Sequence, residues 1–291
     1  MKILIFGVSG QDGFYLQKLC ENKGYNVIGV SRSAGDWIQG SVTDKELVYE
    51  LVKNHQPHFI FHFAANSSTK HDILFENHNT ISTGTLNILE AARLNCPTAK
   101  IFISGSALQF KNDGNPIDEN TPFEAKSPYA VSRIHSIYAA RYYRDVYNLK
   151  IYIGYFFNHD SPLRSENYIN QKIVRAVQRI KNGSIEKINI GNIDVQKEFG
   201  FAKDSVSALW ILVNQEQIFE AIIGTGKAYS IRDWLVQCFE MSPMNWNDFV
   251  VLKEDFIPEY KILVSDPKLI KSLGWMPEIG FKQLAELMML N

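Results

Sequence analysis

A glycine-rich turn between a short apolar strand and a helix is the feature that most limits how this chain can fold. Residues 2–6 read Lys-Ile-Leu-Ile-Phe, and Gly7, Gly10 and Gly13 follow before a helical pattern begins at Phe14. Three glycines at this spacing let the backbone turn tightly, let a pyrophosphate approach the amides, and direct a helix N-terminus at negative charge. We therefore predict a dinucleotide site; an ordinary tight turn is the alternative.

Apolar, β-branched segments alternate with helical segments through the first half of the chain. Strands are predicted at residues 2–6, 25–30, 58–63, 100–104 and 150–156, and helices at residues 13–23, 44–54, 74–94 and 127–147. Apolar strands separated by helices indicate a parallel sheet covered on both faces. The predicted fold class is α/β, a Rossmann-type doubly wound parallel sheet, with ligands beyond the carboxyl ends of its strands.

The pattern loosens after residue 156, and the second half is predicted to form a smaller C-terminal lobe that binds the substrate. Helices are expected near residues 168–181, 204–215, 231–240 and 281–289. We expect a dinucleotide-binding domain over residues 1–157 and a mainly substrate-binding lobe over residues 158–291. Segments near 187–224 are expected to return to the first domain.

Charge and composition argue against several classes of partner and site. The 291 residues carry 30 Lys and Arg against 31 Asp and Glu, so no bulk positive field attracts nucleic acid or an anionic membrane. No apolar run approaches the ~18 residues of a spanning helix, and no secretion signal precedes the first strand. The three cysteines are far apart, which favours reduced thiols and a cytoplasmic protein. The histidines are dispersed, so no metal site is predicted.

The end of the second predicted strand indicates which dinucleotide the turn binds. A free ribose 2′-hydroxyl is met by Asp or Glu at this point, whereas a 2′-phosphate calls for Arg. The chain has Ser31, Arg32 and Ser33 here, so NADP(H) is expected as the cofactor. The alternative is that Arg32 is a solvated surface residue and that Asp36 contacts the ribose of NAD(H).

A serine and a tyrosine–arginine pair mark the predicted reaction site. Ser106 follows the strand predicted at residues 100–104, while Tyr129 and Arg133 are spaced i, i+4 on one face of the next predicted helix. The cation can lower the pKa of the tyrosine and the serine can hold the reacting oxygen, so the group is suited to proton transfer. Taken alone, a helical tyrosine near an arginine is usually surface packing.

Motifs spread along the chain extend this interpretation. They are Gly-Val-Ser-Gly-Gln-Asp-Gly at 7–13, Ser-Pro-Tyr-Ala-Val at 127–131, Phe-Asn-His-Asp-Ser-Pro at 157–162, Gly-Phe-Ala-Lys-Asp at 200–204 and Leu-Gly-Trp at 273–275. In these motifs the sequence resembles the extended short-chain dehydrogenase/reductases, and among them the GDP-mannose 4,6-dehydratases. The resemblance implies a tightly held nicotinamide cofactor, a nucleotide diphosphate sugar bound by the C-terminal lobe, and a catalytic group of Ser or Thr, Tyr and Lys.

The resemblance also implies roles for single residues. Ser106 and Tyr129 match the catalytic serine or threonine and the tyrosine, and Arg133 stands where the family has lysine. Cofactor contacts are expected at Gly7, Gly10, Gln11, Asp12, Gly13, Arg32, Tyr129 and Arg133. Substrate contacts are expected at Asn158, Arg164, Lys172 and Lys197. The family's helix pairing implies a homodimer through residues 74–94 and 127–147, and the short loop after residue 32 puts the family's tetramer in doubt.

Two departures from the family bear on the reaction. Arg133 keeps the charge that stabilises a tyrosinate but cannot relay protons as a lysine does. Leu108 stands where the dehydratases place a glutamate that works in C5–C6 elimination. The main hypothesis is therefore an NADP(H)-dependent enzyme of the 4-ketosugar reductase type, which reduces or oxidises one carbon of a nucleotide diphosphate hexose, with a GDP-sugar favoured. The alternatives are a GDP-mannose 4,6-dehydratase-type lyase with a relocated elimination base, and a catalytically silent protein that binds the cofactor or the sugar nucleotide.

Overall fold

A computed structural model describes residues 1–240, 244–253 and 255–290. Its strands are β1 (Lys2–Phe6), β2 (Asn26–Ser31), β3 (Ile38–Gln39), β4 (Phe59–His62), β5 (Lys100–Ser106), β6 (Ile151–Phe156), β7 (His159–Asp160), β8 (Ile188–Ile190), β9 (Gln196–Glu198), β10 (Gly200–Phe201), β11 (Glu220–Ile223), β12 (Ala228–Ser230), β13 (Val250–Leu252) and β14 (Ile262–Leu263). Its helices are α1 (Gln11–Asn22), α2 (Lys45–His55), α3 (Leu74–Asn77), α4 (Gly84–Asn95), α5 (Pro128–Tyr147), α6 (Ile169–Lys181), α7 (Ala202–Val213), α8 (Ile231–Phe239), α9 (Lys268–Ser272) and α10 (Phe281–Leu290).

The central sheet is the predicted parallel sheet. It has seven strands in the order β11-β6-β5-β4-β1-β2-β3, and each neighbouring pair is parallel. The chain order reverses between β1 and β4, so a crevice opens beyond the carboxyl ends of these two strands. The last strand of the sheet, β11, comes from the second half of the chain and pairs with β6.

Helices cover both faces of this sheet because its strands are apolar on both sides. Leu4 and Phe6 of β1 pack into a core with α2, α4 and α5, whereas Ile3 and Ile5 pack into a second core with α1 and α7. All four side chains are at most 1% exposed. This double burial is what continuous apolar strands require.

The segment predicted as one helix over residues 74–94 has a more complex shape. It begins as α3, widens into a π-helical turn at His78–Thr83, and continues as α4. The turn packs against α5, where the Ser82 hydroxyl donates to the carbonyl of Ser132 at 3.2 Å. Extra residues in such a turn often serve a site, and here Thr80 lines the crevice beyond β1.

The C-terminal lobe has its own core, in which Ile173, Val177, Trp234, Leu284 and Met288 from α6, α8 and α10 are buried. One link between this lobe and the central sheet is Glu198 of β9, which is fully buried. This carboxylate accepts hydrogen bonds from Thr225, Gly226 and Ser265. Because a buried charge is tolerated only when it is well hydrogen-bonded, Glu198 fixes the loop after β11 against β9 and the segment after β14.

The described part of the chain also bears on membranes, metals and thiols. No helix there is both long and apolar enough to cross a membrane, and no group of three or more His, Cys, Asp or Glu residues there could hold a metal ion. The thiols of Cys20, Cys96 and Cys238 are free and buried.

Candidate functional site

The glycine turn between β1 and α1 has the geometry of a phosphate-binding turn. Gly7 has a φ of +91°, and a Cβ there would lie 2.6 Å from the amide nitrogen of Ala64. A Cβ on Gly13 would lie 2.3 Å from the carbonyl oxygen of Gly7. Glycine is therefore required at both positions. Helix α1 starts at Gln11 without a side-chain cap, so its first amides can bind an anion.

The crevice beyond β1 and β2 carries hydroxyls and a guanidinium. It encloses about 150 Å³ and is lined by Ser9, Ser31 and Arg32, among other residues. The hydroxyls of Ser9 and Ser31 lie 2.6 Å apart, and that of Ser33 lies 3.2 Å from that of Ser31. Arg32 is largely exposed and pairs with Glu76 at 3.1 Å. The described residues that line this crevice include no carboxylate.

Gln11 and Asp12 contact the loop after β6 rather than standing free in the turn. Gln11 donates to the carbonyl of His159 at 3.1 Å and accepts from the Ser161 hydroxyl at 3.0 Å. The Asp12 carboxylate lies 2.9 Å from Nε2 of His159. Burial lowers the pKa of His159, but Asp12 outweighs it and leaves that pKa raised. The two motifs most specific to the resemblance therefore bind each other.

The predicted catalytic residues come together at the carboxyl end of β5. Ser127 caps α5 by accepting from the amide of Ala130 at 3.2 Å, which starts the helix beside the end of the strand. Arg133 Nε donates to the hydroxyl of Tyr129 at 3.1 Å. Tyr129, Arg133 and Ser106 are all buried and line one cavity. The pair is therefore not surface packing.

This environment makes Tyr129 more acidic than an ordinary tyrosine. Burial raises the pKa of Tyr129, but the charge and hydrogen bond of Arg133 lower it by more, with help from Ser106 and Ser67. The net pKa is lowered. A tyrosine that gives up its proton more easily is suited to acid–base catalysis.

Arg133 is anchored in the sheet as well as to Tyr129. Its Nη1 donates to both the carbonyl and the hydroxyl oxygen of Ser104, and the Ser104 hydroxyl donates to the carbonyl of His62 at 2.9 Å. Burial, assisted by the charge of Arg133, lowers the pKa of His62 to about 3. His62 is therefore neutral, and Arg133 is the cation beneath the tyrosine.

The cavity above Tyr129 encloses about 270 Å³ and contains two of the predicted substrate contacts, Asn158 and Arg164. Its lining includes Asp12, Ser106, Leu108, Tyr129, Arg133, Asn158, His159, Arg164 and Glu259. The amide oxygen of Asn158 is buried without a hydrogen-bond partner among the residues that the structure describes. Arg164 lies 3.7 Å from the ring centre of Tyr168 and 3.4 Å from the Asp160 carboxylate. An unpaired buried amide next to the glycine turn fits a bound nicotinamide cofactor or sugar.

A second chamber, of about 440 Å³, lies in the C-terminal lobe and is lined by Lys197 and by Gly191 and Asn192. Burial lowers the pKa of Lys197 to about 8, although Asp160 opposes this change. Lys172 does not line the chamber; its ammonium donates to the carbonyl of Asn189 at 2.9 Å. Lys197 is therefore the cation available to a ligand here, and Lys172 supports the chamber wall.

Sequence reasoning missed three residues that the fold brings to this region. Ser67 and Ser104 lie at or after strand ends, so the rule that ligands gather there could have found them. Glu259 lies in a loop for which no site residue was predicted. It lines the catalytic cavity, the Lys197 chamber and a third chamber of about 580 Å³. Thr69 donates a hydrogen bond to its carboxylate.

Comparison with known proteins supports the resemblance. Residues 4–288 match the family model described as GDP-mannose 4,6 dehydratase. GDP-mannose 4,6 dehydratase 2 of Arabidopsis thaliana is 30% identical over an alignment of 316 residues. The alignment covers 98% of this chain and 85% of that protein.

Solved structures of other proteins share the fold of this chain. The UDP-glucose 4-epimerase of Thermus thermophilus, in complex with NAD, superposes with a TM-score of 0.85 at 20% identity, covering 99% of this chain and 98% of that one. RMD from Pseudomonas aeruginosa, complexed with NADPH, also has a TM-score of 0.85, at 19% identity, covering 99% and 97% of the two chains.

The buried position of Lys197 leads to a pH prediction. Its charge is present below its pKa of about 8 and is lost as the pH rises through that value, so the affinity for a nucleoside diphosphate should fall across this range. Lys197→Met should weaken binding about ten-fold at neutral pH and remove the pH dependence. Calorimetric titration with GDP measures both effects, and Lys181→Met, at an exposed helix end, is the matched control. A wild-type affinity that is constant across pH 8, or unchanged in Lys197→Met, would contradict the assignment.

Proposed function

The chain belongs to the GDP-mannose 4,6 dehydratase family, and from this premise we propose that it is a nicotinamide-dependent enzyme whose reaction begins with hydride transfer at a ring carbon of a nucleotide diphosphate hexose. The observation that carries the proposal is the buried Tyr129–Arg133 pair, with 3.1 Å between guanidinium and phenol. The glycine turn adjoins the catalytic cavity through Asp12, and the Lys197 chamber adjoins it through Glu259.

Each polar residue of the cavity has a separate role in oxidation of the sugar. Tyr129, with its lowered pKa, accepts the proton of the sugar hydroxyl, and Arg133 stabilises the negative charge on the phenolate before that transfer. Ser106 orients the same hydroxyl, and the free amide oxygen of Asn158 accepts a hydrogen bond from the ligand. The cofactor, when bound, supplies the hydride acceptor. Reduction of a ketosugar runs through the same groups in reverse.

Membership of the family supports 4,6-dehydration as the complete reaction, ahead of the single-carbon reduction expected from the sequence. Dehydration also needs an ionisable group beside C5 and C6, and Leu108 cannot serve. Two carboxylates line the cavity among the described residues, and Asp12 is already paired with His159. Among the described residues Glu259 forms no ion pair, and its carboxylate accepts a hydrogen bond from the Thr69 hydroxyl alone. In this proposal Glu259 takes the C5 proton and gives it to the C6 hydroxyl, which leaves as water. The hydride removed from C4 is then added at C6, and C5 regains a proton equivalent to the one that Tyr129 took from the C4 hydroxyl.

The 4-ketosugar reductase is the second candidate, and Leu108 is the observation that favours it. Leu108 lines both the catalytic cavity and the 580 Å³ chamber, where it presents an apolar wall. Hydride transfer at a single carbon needs only Tyr129, Ser106 and Arg133, all of which are present. A silent binding protein has less support, because a buried tyrosine with a lowered pKa serves no binding purpose.

Incubation with GDP-mannose and nicotinamide cofactor separates these candidates. We expect mass spectrometry to detect loss of one water from the hexose. Tyr129→Phe should reduce this rate by ~10²–10⁴-fold because the acid–base group is gone. Glu259→Gln should stop water loss but leave hydride exchange at C4. Tyr147→Phe, on the same helix and exposed, is the control.

Two other outcomes would contradict dehydration. Reduction of a 4-ketosugar nucleotide without any dehydration would establish the reductase instead. No turnover with GDP-, UDP-, CDP- or dTDP-sugars, in wild type and Tyr129→Phe alike, would support the silent protein.

For the cofactor we propose NADP(H). The proposal is supported by the hydroxyls of Ser31 and Ser33 and the guanidinium of Arg32, which are grouped at the end of β2, and by the absence of Asp36 from the described lining of the crevice. Glu76 holds Arg32 through an exposed ion pair, which is worth little, so a phosphate can displace it.

Two substitutions test this preference. Arg32→Ala should weaken NADPH binding by roughly ten- to a hundred-fold and leave NADH binding nearly unchanged, because only NADPH carries the 2′-phosphate. Glu76→Gln should strengthen NADPH binding by removing a competing anion. Fluorescence titration measures both. Equal affinity of the wild-type protein for NADPH and NADH would refute the proposal.

We also propose a homodimer through α5 and its neighbour α4. Tyr138, Tyr142 and Val146 on α5 are 58%, 52% and 58% exposed, which is an unusually apolar surface stripe for a helix. Sedimentation should show a dimer in the wild type and a monomer in Val146→Asp. Ile185→Asp, at an exposed apolar residue of the other lobe, should stay dimeric. A wild-type monomer would contradict the proposal.

A further inference from the structure

Ser104 holds the guanidinium that acts on Tyr129. Arg133 Nη1 donates to two oxygens of this residue, its carbonyl and, at 2.8 Å, its hydroxyl. Arg133 Nε then reaches the Tyr129 hydroxyl at 3.1 Å. Ser104 and Arg133 are each 4% exposed, so water does not compete for these bonds.

The direction of the Ser104 hydroxyl is itself fixed. It donates its proton to the carbonyl of His62 at 2.9 Å, which leaves its lone pairs to accept from Arg133. The carbonyl of His62 on β4 thus fixes the orientation of the Ser104 hydroxyl on β5. That hydroxyl in turn fixes the position of the Arg133 guanidinium on α5. A rigid planar guanidinium that is fixed at Nη1 has its Nε direction fixed as well.

We propose that Ser104 is a positioning residue that holds the positive charge of Arg133 beside the Tyr129 hydroxyl, at the position where the family has a lysine. A lysine ends in a flexible point charge that needs no such anchor, whereas an arginine presents several donors and can turn away from the phenol. This inference rests on the proposed function, because it concerns the acid–base step at Tyr129.

The inference has a pH signature. Arg133 lowers the pKa of Tyr129, so loosening Arg133 should raise that pKa and move the onset of sugar oxidation to higher pH. His62, which faces Arg133 from β4, stays neutral, since its pKa is about 3. The other titratable groups lining the cavity are Asp12, His159, Arg164, Tyr168 and Glu259, and none of them is hydrogen-bonded to Ser104 within the described part of the chain.

A double-mutant cycle tests the inference. The pH profile of sugar oxidation is measured in wild type, Ser104→Ala, Arg133→Lys and the double variant. We expect Ser104→Ala to shift the acidic limb upward by about one pH unit, and Ser104→Thr, which keeps a hydroxyl, to restore it. In the Arg133→Lys background, Ser104→Ala should cause no further shift, because lysine does not depend on the anchor.

A second measurement keeps this test separate from the proposed function. Ultraviolet difference titration of each full-length variant against its Tyr129→Phe counterpart follows the ionisation of Tyr129 without any substrate. If no sugar nucleotide is turned over, the proposed function fails, yet the titration still reports the effect of Ser104. An unchanged Tyr129 titration in Ser104→Ala, or an equal shift in both backgrounds at position 133, would overturn the inference.

Discussion

The buried cation of Arg133 is the constraint on which the rest of the site depends. A guanidinium that is 4% exposed must find acceptors, and here they are the ends of two elements: the carboxyl end of β5 supplies Ser104, and the first turn of α5 supplies Tyr129. Satisfying this charge fixes how the helix docks on the sheet. It also gives Tyr129 the lowered pKa that proton transfer requires.

Hydrogen bonds between the glycine turn and the loop after β6 link the two halves of the chain. The turn that is shaped for phosphates also carries Gln11 and Asp12, and these bind His159 and Ser161 of the loop after β6. That loop carries Asn158 and leads into the C-terminal lobe. A cofactor in the glycine turn would therefore rest against the residues that we propose to face the sugar, and the two proposed sites would share one hydrogen-bonded wall.

Much of this arrangement could be predicted from the sequence because it has local signals. The glycine spacing, the apolar strands and the i, i+4 spacing of Tyr129 and Arg133 are all visible within a few residues. The anchor of Arg133 on Ser104 was not predictable in this way, because the two are joined only when β5 and α5 pack. Glu259 comes from a loop over a hundred residues beyond Tyr129. Its place in the cavity depends on how that loop folds back, which the neighbouring residues do not predict. The π-helical turn at His78–Thr83 likewise depends on packing against α5.

The central claim is that a buried arginine lowers the pKa of Tyr129 and so makes this tyrosine an acid–base group. Selective carbon-13 labelling of the tyrosine rings, followed by NMR titration of the full-length protein, tests it most directly. The account predicts one ring signal that titrates below the ordinary tyrosine value of ~10, is absent from Tyr129→Phe, and moves to higher pH in Arg133→Met. Observation of the Tyr129 signal titrating at or above the ordinary value would contradict the account.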